Sequence, residues 1–131
     1  MAHYDTFGKQ FVDQYYALFD DGAQRHKLSA FYDAEQSLMT FEGVQIQGVG
    51  KIMEKIGSLT FQRVAHIITA MPDCQPMDGG GILINVLGQL QTDDDPAKAF
   101  TQTFVLRPKD EDFPFFIQHD IFRLVLHNIA T

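Results

Sequence analysis

The chain has 131 residues, 45% of them hydrophobic and 21% charged, a balance that excludes a disordered or low-complexity chain; residues 1–131 are expected to form one domain. A formal net charge of −7, with Lys and Arg scattered, leaves no basic stripe for nucleic acid or an anionic membrane and favours a cationic protein surface as partner. Cys74 is the single cysteine, which excludes an internal disulfide and a CxxC zinc site. The start MAHYDTFGKQF has no leader pattern, and ILINVL at 82–87 is too short to span a bilayer, so the expectation is a soluble protein of a reducing, intracellular compartment.

From Asp5 to Phe19 the apolar residues Phe7, Phe11, Tyr15, Leu18 and Phe19 recur at spacings of three and four, which predicts an amphipathic helix. DDG at 20–22 ends it, and Leu28 and Phe31 predict a second short helical segment from about Arg25 to Phe31. SLMTFEGVQIQG, 37–48, alternates around an EG turn and predicts a hairpin. A third helix follows at 49–59, with Val49, Ile52, Met53, Ile56 and Leu59 on one face. Four β runs close the chain, at about Gln62–Met71, Ile82–Thr92, Lys98–Arg107 and Phe115–Leu126, separated by PDCQPMDGGG, DDDP and PKDEDFP. They predict a meander. The order implies an α+β cone in which a strongly curved antiparallel sheet packs against three helices and encloses an apolar cavity.

Candidate sites are few. His66 shares an alternation face with Val64, Ile68 and Ala70, as a hydrogen-bonded core histidine would; a proton-transfer role needs a second titratable group on the same cavity, for which Asp120 or His119 is available. QGVGKIMEKIG fails the phosphate-loop pattern at Gln45 and Ile52, and DGGG at 78–81 reads as a turn. The five His and one Cys show no metal-ligand spacing, so no metal and no cofactor are predicted. Asp93, Asp94 and Asp95 stand in one turn, where each like-charge pair costs about 1 kcal/mol even in water. With Glu42 at the tip of the other hairpin, they suggest an anionic mouth above an apolar cavity, which suits a partner with an aromatic anchor flanked by Lys or Arg.

YYALFD at 15–20, LMTFEGVQIQG at 38–48, IMEKIGSLTFQRVAHIITA at 52–70, GQLQTDDDP at 88–96 and FRLVLHN at 122–128 together resemble the nuclear transport factor 2 family, nearly end to end. The resemblance implies a homodimeric, non-enzymatic carrier. Such a carrier binds the GDP form of the small GTPase Ran and crosses nuclear pores by contact with FxFG nucleoporin repeats, so it is found in cytoplasm, nucleus and nuclear pore or envelope. It further implies that an aromatic side chain of Ran enters the cavity while acids at the mouth pair with neighbouring basic groups. By motif, the Ran-binding residues fall on Glu42, Asp93 and Asp95, with His66 at the cavity side and Phe41 and Phe122 in its lining. Phe41 stands where familiar members carry Trp, and the family's nucleoporin-binding Trp corresponds to Tyr4, with Phe7 one turn on. The segment DDGAQRHKLSAFYDAEQS is a few residues longer than in familiar members. A small-molecule dehydratase or isomerase of the same fold superfamily, and a dimerising adaptor, are the alternatives.

Overall fold

The computed structural model describes residues 3–59, 61–109 and 114–125. The three- and four-residue spacing at the start forms helix α1, His3–Asp20, which buries Phe11, Val12, Tyr15, Tyr16 and Phe19. It is followed by a 3-10 helix, Arg25–Phe31, that seats the fully buried Leu28. Strands β1 (Leu38–Phe41) and β2 (Val44–Gln47) pair as the expected hairpin, with Phe41 opposite Val44. Helix α2 runs from Val49 to Gly57 and buries Ile52 and Ile56.

The sheet continues with β3 (Val64–Ile68), β4 (Asp73–Met77), β5 (Gly81–Thr92), β6 (Lys98–Pro108) and β7 (Phe115–Leu124), in the spatial order β2-β1-β7-β6-β5-β3. Two features depart from the predicted meander. The run expected at Gln62–Met71 is shorter, and DCQPM, expected within a connection, is strand β4. Strands β3 and β4 together lie antiparallel to β5, from Val64 opposite Thr92 to Met77 opposite Gly81. Pro72 lies at the break and Pro76 on the second piece, and proline reads as a loop signal although it is tolerated beside a sheet edge. The second departure is that β1 joins β7 in parallel, with Phe41 beside Phe122, so the sheet is mixed. The end of the last run, at Leu126, lies outside the described residues.

Along β6 Phe100, Gln102, Phe104 and Leu106 face inward and are buried, and Val105 between the last two is buried as well. Strand β7 cannot keep that phase. Val105 pairs with His119 but Leu106 pairs with Ile117, so Gln118 is an extra residue, a β-bulge that Arg107 Nε fixes by donating to Gln118 Oε1 at 2.9 Å. The bulge is why both Ile117 and Asp120 point inward, although their numbers differ by three. Helix α1 lies across this concave face, with Phe11 and Tyr15 edge-on to Phe104 at 5.1 and 5.0 Å. Each buried Phe contributes roughly 1.5–3 kcal/mol. Gly88 lets β5 pack closely against its neighbours: a Cβ there would stand 2.9 Å from the Phe100 ring and 2.5 Å from the Ile67 carbonyl.

Candidate functional site

The closed end of the cone is polar. Asp120 is fully buried; its Oδ2 accepts the Tyr32 hydroxyl at 2.7 Å and its Oδ1 accepts the Gln102 amide at 2.8 Å. Since the Tyr32 hydrogen is committed to Asp120, the Tyr15 hydroxyl, 2.6 Å away, donates to Tyr32. Tyr16 donates to Gln102 Oε1 at 2.7 Å. Every hydrogen in this network runs toward Asp120. Burial raises the Asp120 carboxyl to about 6, with the bonds from Gln102, Tyr32 and Tyr15 opposing that rise. Burial, with the Asp120 charge adding to it, likewise raises the Tyr15, Tyr16 and Tyr32 phenols, which act as donors. Among the described residues no buried side-chain nitrogen or oxygen lacks a partner.

Above this floor sits the apolar cavity. Its walls include Phe41, Phe61, His66, Leu90 and Phe122, and its volume is about 30 Å³, room for about one water. Phe41 stacks on Phe122 at 4.9 Å, and Phe122 on Phe100 at 5.6 Å. The cavity expected from the sequence is therefore present but nearly filled by this chain's own rings. A larger open groove of about 830 Å³ runs along α1 against the 3-10 helix. None of the predicted Ran-facing residues borders it, so the small cavity is the one the sequence pointed to.

His66 reaches the cavity wall with its side chain 4% exposed. Its partner is neither Asp120 nor His119. Asp20, the last residue of α1, accepts His66 Nδ1–H at 2.6 Å through one oxygen and the His66 backbone N–H at 2.9 Å through the other. The imidazole stacks on Tyr16 at 4.3 Å and meets Phe19 and Phe100 edge-on. The pair thus clamps the end of α1 to β3. His119 is exposed, on the outer face of β7.

The two acidic turns have an unforeseen construction. Glu42 (φ 51°) and Asp93 (φ 50°) are the non-glycine residues with positive φ among the described residues, a conformation that costs an L-residue roughly 1–2 kcal/mol. With Gly43 at φ 85°, Glu42 forms the tight turn between β1 and β2. Its Oε1 accepts the Leu124 N–H, which ties the hairpin to β7. Asp93 Oδ1 accepts the N–H groups of Gln62 and Arg63 at 3.0 and 2.9 Å, and its own N–H reaches the Arg63 carbonyl at 2.9 Å. Each carboxylate therefore uses one oxygen internally, while Glu42 Oε2 and Asp93 Oδ2 have no partner among the described residues. Asp94 is exposed and pairs with Arg63 at 3.0 Å. Asp95 is exposed in the same turn, its backbone N–H bonded to the Thr92 carbonyl at 3.0 Å.

Phe41, His66 and Phe122 line the small cavity, whereas Glu42, Asp93 and Asp95 are not among its walls: Glu42 adjoins Phe41 in the chain, and Asp93 borders a separate surface depression with Arg63, Val64 and Gln91. Tyr4 and Phe7 lie elsewhere, together in a shallow apolar depression of about 320 Å³, where Phe7 packs on Phe115 at 4.6 Å. Cys74 is half-buried against Gly8; burial and then the charges of Asp5 and Asp73 raise its thiol. Among the described residues no helix is long and apolar enough to cross a membrane, and no group of three His, Cys, Asp or Glu is placed to hold a metal.

The fold defines a class, a small α+β cone whose curved mixed sheet and helices enclose an apolar cavity. A family model for the nuclear transport factor 2 (NTF2) domain matches residues 7–124. The chain is 45% identical over 128 residues to the probable nuclear transport factor 2 of Caenorhabditis elegans, covering 95% of each chain. It is 41% identical over 127 residues to nuclear transport factor 2 of Emericella nidulans, covering 95% of this chain and 98% of that one. The solved structure of nuclear transport factor 2 from Cryptosporidium parvum superposes with a TM-score of 0.86 at 40% identity, over 93% of this chain and 94% of that one. The chain belongs to the nuclear transport factor 2 family. These named relatives are transport factors and not enzymes, and nucleocytoplasmic transport is the function this chain shares with them.

Proposed function

We propose that this chain is the import carrier for Ran-GDP, with Glu42 and Asp93 as the fixed acids of the binding mouth, Asp95 as an added exposed charge, and Phe41, His66 and Phe122 as walls for an aromatic side chain of Ran. The observation that carries the reading is the pairing of strain with spare bonding capacity. Strained backbone persists where the surroundings over-determine it and clusters at binding sites, and here the strained non-glycine residues are two of the three acids the family resemblance selects. Backbone N–H groups hold one oxygen of each, so the other meets a basic partner at little further entropic cost.

Two further contacts complete the carrier. Tyr4 and Phe7, with the depression around Phe115, form the surface for FxFG nucleoporin repeats. A homodimer forms through the outer sheet face, where Ile67, Leu87 and Ile121 are about half exposed. Cycling between cytoplasm and nucleus through the pore follows from these partners. Purified Ran in its two nucleotide states tests the carrier role. Capture of the GDP form alone is expected; equal capture of both forms, or of neither, would overturn it.

A further inference from the structure

The cavity volume sets a problem for any aromatic anchor. About 30 Å³ is present, whereas a site that takes up benzene is about 150 Å³; the cavity must widen about fivefold to admit a ring, so some wall must give. Phe41, His66, Leu90 and Phe122 are carried by paired strands. Phe61 is not. It lies ahead of β3, half-buried, its ring 6.3 Å from Phe19 and 5.1 Å from the guanidinium of Arg25, which itself donates through Nε to the Phe19 carbonyl at 2.6 Å. The backbone just after it is anchored across the chain by Asp93 Oδ1, bonded to the N–H groups of Gln62 and Arg63.

We infer that Phe61 is the yielding wall of the cavity and that Asp93 is its positioning residue. Asp93 thus acts on a partner twice, by charge through the unpaired oxygen and by setting, through the paired one, how readily Phe61 gives way. The proposal rests on the carrier reading for its partner, but the wall can be tested without Ran. The two roles separate chemically, because the substitution Asp93→Asn keeps an oxygen for the two N–H groups and loses the charge, whereas Asp93→Ala loses both.

The test uses the full chain, with amide hydrogen exchange at Gln62 and Arg63 and with benzene as a cavity probe followed by NMR shifts at Phe41, His66 and Leu90. Asp93→Asn is expected to keep wild-type protection and wild-type benzene response. Asp93→Ala is expected to lose at least tenfold protection at the two amides and to take up benzene more readily, and Phe61→Ala to take it up most readily. The inference is overturned if Asp93→Ala matches Asp93→Asn in both readouts, or if Phe61→Ala gains no benzene uptake; the latter holds even where Asp93→Ala does not fold. Binding of Ran-GDP to the same variants adds a separate arm: a further loss in Asp93→Ala beyond Asp93→Asn is expected, and equal losses would refute the coupling. Absence of binding by wild type would sink the carrier reading and leave the benzene and exchange results to decide the wall.

Discussion

Asp120 and the rim pair, Glu42 and Asp93, are carboxylates held by hydrogen bonds, yet they are held in opposite ways. At the floor both Asp120 oxygens are bonded by buried side chains, Tyr32 from the segment after the 3-10 helix and Gln102 from the neighbouring strand β6. At the rim, backbone N–H groups take one oxygen of each acid and leave the second unpaired among the described residues. A carboxylate bonded at both oxygens in a dry core organises the fold, while one fixed at one oxygen and open at the other is, on the proposed reading, prepared for an external cation. The first region should therefore answer to changes in stability and the second to changes in binding.

The largest effect is expected at the floor. Asp120→Ala orphans the Tyr32 hydroxyl and the Gln102 amide, at roughly 1–3 kcal/mol each, so urea denaturation should show a loss of about 2–6 kcal/mol. A loss below about 1 kcal/mol, the low end for a single orphaned group, would erase the distinction between floor and rim.

The floor also carries a pH signature. Its folded carboxyl lies at about 6 against an ordinary 3.8, so below the lower value both folded and unfolded states hold the proton, and between the two only the folded state does. The stability this group contributes is complete at low pH and is lost as pH rises through about 6. Measured as wild type minus Asp120→Asn between about pH 3.5 and 8, to cancel other groups, the loss should approach about 3 kcal/mol; a flat difference would contradict it.

Rim substitutions should do the reverse. Glu42→Gln retains an acceptor for Leu124, so stability should move by less than about 1 kcal/mol while Ran-GDP affinity falls by about 1.5–3 kcal/mol, roughly 10- to 150-fold. Glu42→Lys adds repulsion but also removes that acceptor, so it mixes the two effects. The smallest effect is kinetic: raising salt from about 0.05 to 0.3 M should slow association several-fold with little change in dissociation. Salt-independent association would show that the rim does not steer.

How much of this was legible in the chain depends on which interactions are local. The four-residue spacing of Phe11, Tyr15 and Phe19 marked α1, and EG marked the tight turn at Glu42, because both rest on residues close in sequence. Strand β4 was hidden by Pro72 and Pro76, whose loop signal is outweighed by pairing with β5. The parallel join of β1 to β7 is a tertiary fact without a local mark. The orientation of Asp120 could not be read because the bulge at Gln118 shifts the phase of β7. Asp20 looked like part of a helix-ending DDG, and only folding brings it to His66, 46 positions away. The rim acids were visible as candidates through the resemblance, but their internal bonds were not, since Asp93 reaches Gln62 across 31 positions and Glu42 reaches Leu124 across 82.

The division between floor and rim stands most directly on one double variant, Glu42→Gln with Asp93→Asn, titrated with Ran-GDP beside the wild-type chain. Both substitutions keep an internal acceptor and remove a charge. An affinity weaker by about a hundredfold or more, with an unchanged midpoint of unfolding, is the expected result. Wild-type affinity in that variant would show that the open carboxylate oxygens are not what the partner binds.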